Sequence, residues 1–247
     1  MLLDQTTLLV GFLLLLAAFV KGTTGMGFPL IATPTVALVL DIRTAVTILI
    51  IPNLVMDITQ VFRGEFPAPI VRRFSGMFFW TVIGVFLGTK VLVTLPLWIL
   101  NLVLGIMVLA FVVATLFRFE LEIPAHRERM LSPMMGLVGG FLNGMTNAAG
   151  PALAIYLYSL RLPKIQFVKS IASIFIVTKA SQLLAVSTWN LLNRTTLELS
   201  LAVTLFVLLG FYAGLKTQDR INQRIFNRGL LTLLFLIGLI LVGSTLR

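Results

Sequence analysis

Lys21 is the only charged residue in the stretch from 6 to 40, and it heads the run Lys-Gly-Thr-Thr-Gly-Met-Gly-Phe-Pro that ends at Pro29. A second polar run, Asn-Gly-Met-Thr-Asn-Ala-Ala-Gly-Pro, occupies 143–151. The ammonium of Lys21, the hydroxyls of Thr23, Thr24 and Thr146 and the amides of Asn143 and Asn147 are donors suited to a charged oxygen group. Gly22, Gly25, Gly27, Gly144 and Gly150 weaken a helix and free backbone groups that need new partners. Half-helices restarting at about Phe28 and Ala152 would point their N–H groups and positive dipole ends at the same place. The chemistry of such a place is anion binding. Glycine and threonine also permit close helix packing in a membrane, a reading the glycines alone leave open. Lys21 is harder to read as packing, because a charge at that depth costs several kcal/mol unless paired or wet.

Asp57 and Lys179 are a second group able to do chemistry, each inside an apolar segment. They could form a structural ion pair near a twofold axis, or act as a gate or proton-coupling group. Gln60 and Gln182 follow them by three residues and could bond substrate or clamp helices. An intramembrane enzyme would need a nucleophile with its base, or paired carboxylates, at this depth. One intramembrane aspartate, no Gly-x-Ser-x-Gly serine and a lone His126 in the hydrophilic stretch do not supply that, so a non-enzyme is expected. With no cysteine, thiolate metal sites are excluded, and no cofactor is expected. No Gly-x4-Gly-Lys-Ser/Thr run is present for nucleotide phosphate.

The elements that must position these residues follow from composition. The chain is 58% hydrophobic and 11% charged, with a mean hydropathy of +1.04, so a membrane is its main solvent. Apolar segments fall at about 6–40, 44–62, 74–95, 97–117, 133–160, 163–189, 196–215 and 225–246. Most are near the roughly 20 residues a helix needs to cross ~30 Å of hydrocarbon. Leu8 to Val20, preceded by Asp4 rather than a basic residue, is read as part of the mature chain and not as a signal peptide. The net charge of +10 resides in short loops between these segments, which speaks for topology rather than for nucleic acid. Lys90 and Lys216 read as interface anchors, and Trp80, Trp98 and Trp189 as interface or core residues.

The two sides of the hydrophilic stretch 118–132 resemble each other. At an offset of 122, Gly22 falls on Gly144, Thr24 on Thr146, Pro29 on Pro151, Asp57 on Lys179 and Gln60 on Gln182. With a shift of 126, Gly84–Lys90 falls on Gly210–Lys216. The expected organisation is a first membrane repeat over 1–117, a cytoplasmic linker over 118–132 and a second membrane repeat over 133–247. At about 1.5 Å per residue the segment 6–40 is roughly 52 Å long, too long for one straight crossing. If 6–40 and 133–160 turn back as re-entrant hairpins, one side collects Arg63, Arg72, Arg73, Arg118, Arg127, Arg129, Arg161, Lys164, Lys216, Arg220, Arg224 and Arg228. The other side keeps Arg43, Arg194 and Arg247, the asymmetry that the positive-inside tendency favours. The fold predicted is all-α and polytopic: two inverted repeats, each a broken hairpin plus three transmembrane helices, with both termini outside.

The runs KGTTGMGFPLIATP and GGFLNGMTNAAGPALAIY, in a chain of this length with eight apolar segments, resemble the TauE/SafE family of sulfite exporter-like membrane proteins. The resemblance makes Gly22, Gly25, Gly27, Pro29, Gly140, Gly144, Gly150 and Pro151 the motif positions. Asn147 and Ala149 depart from it by standing where the first run has Gly25 and Gly27. It implies export of sulfite or an organosulfonate such as sulfoacetate. Together with the residues it leads to a secondary transporter in a cytoplasmic membrane, alternating access around a site between two broken-helix tips. An anion channel, or a carrier of another small carboxylate or oxyanion, is the alternative. The partners expected are a small anion, the lipid bilayer and, by analogy with other hairpin transporters, a second copy of the chain packed through the Gly-x3-Gly segments.

Overall fold

The computed structural model describes residues 5–63, 68–117, 123–217 and 223–245. Among them the regular structure is entirely helical: α1 (Gln5–Thr24), α2 (Phe28–Ala37), α3 (Ile42–Ile48), α4 (Ile50–Val61), α5 (Ala68–Arg73), α6 (Ser75–Thr94), α7 (Leu97–Phe117), α8 (Ala125–Thr146), α9 (Gly150–Ser159), α10 (Lys164–Thr188), α11 (Arg194–Thr217) and α12 (Gln223–Thr245). The segments Ile42–Val61, Ser75–Thr94, Ile165–Thr188 and Arg194–Thr217 are long and apolar enough to cross a membrane. Shorter apolar helices flank the first break and run through α7 and α12. Polytopic all-α architecture is thus what the apolar pattern implies.

Small residues set which helices touch. A Cβ at Gly84, Gly88, Gly140 or Gly144 would lie on a carbonyl oxygen of the facing helix, which locks α6 against α8 at backbone contact. Gly210 and Gly214 do the same for α11 against Leu15, Phe19 and Gly22 of α1. Dispersion and close backbone approach hold such pairs, since burial from water drives nothing between helices in lipid. The Gly-x3-Gly faces are therefore consumed inside the chain, and a homodimer would have to use other surfaces.

Both long segments fold back. The Ile123 N–H donates to the Ser159 carbonyl at 3.2 Å, so the end of α9 meets the residues just before α8. Arg73 joins Glu128 across 2.6 Å at that same basic end, beside the starts of α6 and α8. At the other end of α6, Arg43 donates to the Leu92 and Leu95 carbonyls. The start of α3, just after α2, therefore lies at the end opposite Arg73. There too α11 begins, because Ser200 near its start donates to the Ile48 carbonyl at 2.7 Å. Because α1 runs parallel to α11, its start belongs to this end as well. Each hairpin thus enters and leaves at its own end, and the two enter from opposite ends.

Two local details differ from the sequence reading. α8 begins at Ala125, inside the stretch read as linker, with Pro124 as its cap residue. The segment 44–62 breaks at Leu49, because Pro52 has no N–H for the Ile48 carbonyl and its ring crowds it. Ser200 takes that freed oxygen, and the Asn147 amide takes the Val46 oxygen at 3.2 Å. Lys90 and Lys216 are exposed near their helix ends, and Trp80 and Trp98 face outward. The residues 118–122, Arg220 and Arg247 lie outside the described residues, as do the side chains of His126, Pro151, Lys164, Arg224 and Arg228.

Candidate functional site

The two breaks are built alike. In the first, the Thr24 Oγ1 proton is within reach of the carbonyls of Val20 (2.9 Å) and Met26 (2.8 Å), and the oxygen accepts from the Met26 N–H. In the second, Thr146 Oγ1 donates to the Leu142 carbonyl at 3.0 Å and accepts from the Ala148 N–H. Each hydroxyl closes the last turn and begins the reversal, leaving fewer backbone groups unpaired at depth. Thr23 likewise donates to Val20. The chain reverses through a left-handed residue, Gly25 at φ 88° and Asn147 at φ 60°. Asparagine is among the few side chains that enter this region readily, so Asn147 reproduces the turn that Gly25 makes. Gly27 is also left-handed at φ 100°, whereas Ala149 stays helical at φ −74°. The second half-helix therefore restarts at Gly150, two residues before the expected Ala152, while α2 starts at Phe28.

Behind the first tip, Lys21 Nζ donates to Asp57 Oδ1 and Asn53 Oδ1, both at 2.6 Å. Lys21, Asn53 and Asp57 are all fully buried. Gln60 Nε2 donates to the Lys21 carbonyl at 3.1 Å, fixing α4 to the end of α1. Behind the second tip, Lys179 Nζ donates to Asn147 Oδ1 at 2.5 Å and Gln182 Oε1 at 2.8 Å. Gln182 Nε2 reaches the Asn143 carbonyl at 3.1 Å, the bond Gln60 makes 122 residues earlier. Both glutamines clamp helices. Asp57 thus takes Lys21 as its ion-pair partner and not Lys179, whose ammonium is held instead by the Asn147 and Gln182 oxygens. The Asn143 amide is fully buried with no hydrogen-bond partner.

The tips meet at a small cavity of about 20 Å³ lined by Met26, Gly27, Pro29 and Leu30 from the first hairpin, Asn147 and Gly150 from the second, and Phe111 and Phe175. Of the expected substrate groups, Gly27, Asn147 and Gly150 face it directly. Lys21 lies behind one aromatic wall, with Nζ 5.7 Å from the centre of the Phe175 ring. Gly22 and Gly144 pack against α11 and α6, and Gly25 against Val168. Phe111, Phe175 and Asn53 were not singled out from sequence. Nothing distinguishes Phe111 from other apolar positions of α7. Asn53 and Phe175 occupy matching places at the 122 offset, one polar and one aromatic, and that mismatch was a readable signal.

Four membrane-length helices among the described residues, two hairpins entering from opposite ends, and a cavity where their tips meet define a multi-pass helical membrane protein. Residues 10–241 match the family described as Sulfite exporter TauE/SafE, and the chain belongs to that family. No curated protein and no solved structure matches it. Membership makes it a member of a family of membrane anion exporters.

Proposed function

We propose that this protein is a secondary transporter of the cytoplasmic membrane that exports sulfite or a small organosulfonate, binding it where the two hairpin tips meet. The observation that carries the reading is the cavity itself. It lies at the starts of α2 and α9, whose first N–H groups have no partner within their own helices and whose dipoles favour an anion. A buried ammonium stands one side chain behind it on each side, Lys21 behind Phe175 and Lys179 behind Asn147. The bonds shared at an offset of 122, together with hairpins from opposite ends, support two inverted repeats.

A cavity of about 20 Å³ is room for one or two waters, less than a sulfur oxyanion fills, so the tips must part to admit substrate. Alternating access is the natural cycle: the hairpins separate toward one side at a time, while the backbone contacts of α6 with α8 and of α1 with α11 move as units. No Walker motif is available, so the driving force is a gradient or the membrane potential. The test is counterflow of labelled sulfite and sulfoacetate in proteoliposomes, native protein against Asn147→Ala. Exchange of either anion that falls at least tenfold in the variant supports the site, while native protein that exchanges neither sinks the assignment.

A further inference from the structure

We propose that the two-tip site is built for an anion carrying one negative charge. The inference rests on the anion-transporter reading above and narrows its substrate class.

Three fully buried ionisable side chains stand behind the cavity walls: Lys21 behind Phe175, Lys179 behind Asn147, and Asp57 on the far side of Lys21. Lys21 and Asp57 form an ion pair at 2.6 Å and sum to zero. The partners of Lys179 are the neutral oxygens of Asn147 and Gln182, and no carboxylate lies within ion-pair distance of it among the described residues. With Lys179 protonated in the loaded site, the three charges, +1, −1 and +1, sum to one positive charge. An ammonium has three N–H donors, and two are used here. Asn147 is both a partner of that ammonium and a wall of the cavity, so a bound oxyanion is one side chain away from it. The remaining walls, Met26, Leu30, Phe111 and Phe175, offer no charge of either sign.

In a low-dielectric setting an unpaired buried charge is costly, whichever its sign. A monoanion brings the cluster to neutrality. A dianion leaves a surplus negative charge in the same place. Within the sulfur oxyanions the site therefore takes hydrogen sulfite and simple monosulfonates ahead of sulfate and of sulfonates that also carry a carboxylate. Lys179 sets this preference as a charge, and Asp57 sets it by cancelling Lys21.

Methanesulfonate and sulfate are nearly the same size and differ by one charge at neutral pH, so they make the test. Half-saturating concentrations are measured for both by thermal stabilisation of purified protein and by inhibition of labelled sulfite counterflow, at matched ionic strength. The native chain is expected to favour methanesulfonate at least about tenfold. Asp57→Asn adds a positive charge and should move the ratio at least about tenfold toward sulfate. Lys179→Gln should weaken methanesulfonate by a similar factor, with Lys179→Arg restoring it, a comparison that decides the matter where Asp57→Asn yields no folded protein. Sulfate bound as tightly as methanesulfonate by the native chain overturns the proposal and leaves the transporter reading standing. So does a ratio unmoved in folded Asp57→Asn, which would trace the preference to the methyl group. Native protein that exchanges no sulfite and binds neither probe brings down both readings.

Discussion

Removing one member of the Lys21–Asp57 pair leaves the other charged, fully buried and unpaired, while removing both leaves a neutral pocket. The pair is short at 2.6 Å, and both side chains are wholly buried. Breaking a buried pair from one side costs about 3–5 kcal/mol, whereas replacing both partners with neutral groups of similar volume is often close to neutral. Lys21→Met and Asp57→Asn are each expected to destabilise by about that much, and the double variant by clearly less than their sum. At roughly 2–4 °C per kcal/mol for a chain of this size, each single variant should lower the melting temperature in detergent by about 6–20 °C. The double variant should recover at least half of the larger loss, with the remainder due to Asn53 losing the ammonium it now accepts from. A parallel cycle with Lys179→Met and Asp57→Asn should give no comparable recovery, because Lys179 contacts neutral oxygens. Additive losses in the first cycle, or recovery only in the second, would refute the assignment of Asp57 to Lys21.

Gly140→Ala places a methyl on the Thr81 carbonyl and should cost about 1–3 kcal/mol, whereas Gly243→Ala, which meets nothing, should be neutral or slightly stabilising; thermal melts of the two distinguish them. Ser200→Ala leaves the Ile48 carbonyl unsatisfied and should cost about 1–3 kcal/mol, a loss that Pro52→Ala should partly reverse by returning an N–H to that oxygen; equal melting of the single and double variants would contradict this account of the break. Burial works to raise the Asp41 carboxyl, but hydrogen bonds from Thr44 and from the backbone N–H groups of Thr44 and Arg43 outweigh it and hold the group below its ordinary 3.8. The stabilisation is thus present above that value and lost as pH falls through the lowered one. Asp41→Ala should cost about 1 kcal/mol at neutral pH, and its deficit against the native chain should shrink as melts are taken to low pH.

Much of this architecture was legible because membrane physics leaves few options. Apolar length marked the spans, and the loop charges distinguished a turning segment 6–40 from a crossing one before any contact was known. The Gly-Thr-Thr-Gly-Met-Gly run told of a break, since glycine and threonine there free and re-pair backbone groups. What stayed hidden depended on position in three dimensions. The partner of Asp57 could not be read because both lysines are candidates until the hairpin tips are placed. The break at Leu49 rests on one proline whose freed carbonyl finds Ser200 more than a hundred residues away. The threonines looked like substrate donors, and their hydroxyls instead close the turns.

The positions that differ at the 122 offset are the ones that make the two tips electrostatically unequal. At the 122 offset the position of Lys21 carries Asn143, and the position of Asp57 carries Lys179, so the same clamp holds a closed ion pair behind one tip and an ammonium with only neutral partners behind the other. Two equally charged tips would give the empty protein either two unpaired ammoniums or none. The first would be too costly to keep dry when the substrate leaves, and the second would hold no anion. On the proposed reading, one neutral tip beside one charged tip gives a single binding charge and a wall that does not compete for it. Asn147 joins the two: it makes the left-handed turn that Gly25 makes opposite it, and its side chain also bridges Lys179 to the Val46 carbonyl of α3. A glycine there would keep the turn and lose the bridge. That is why the second tip, and not the first, is the one expected to sense whether the anion is present.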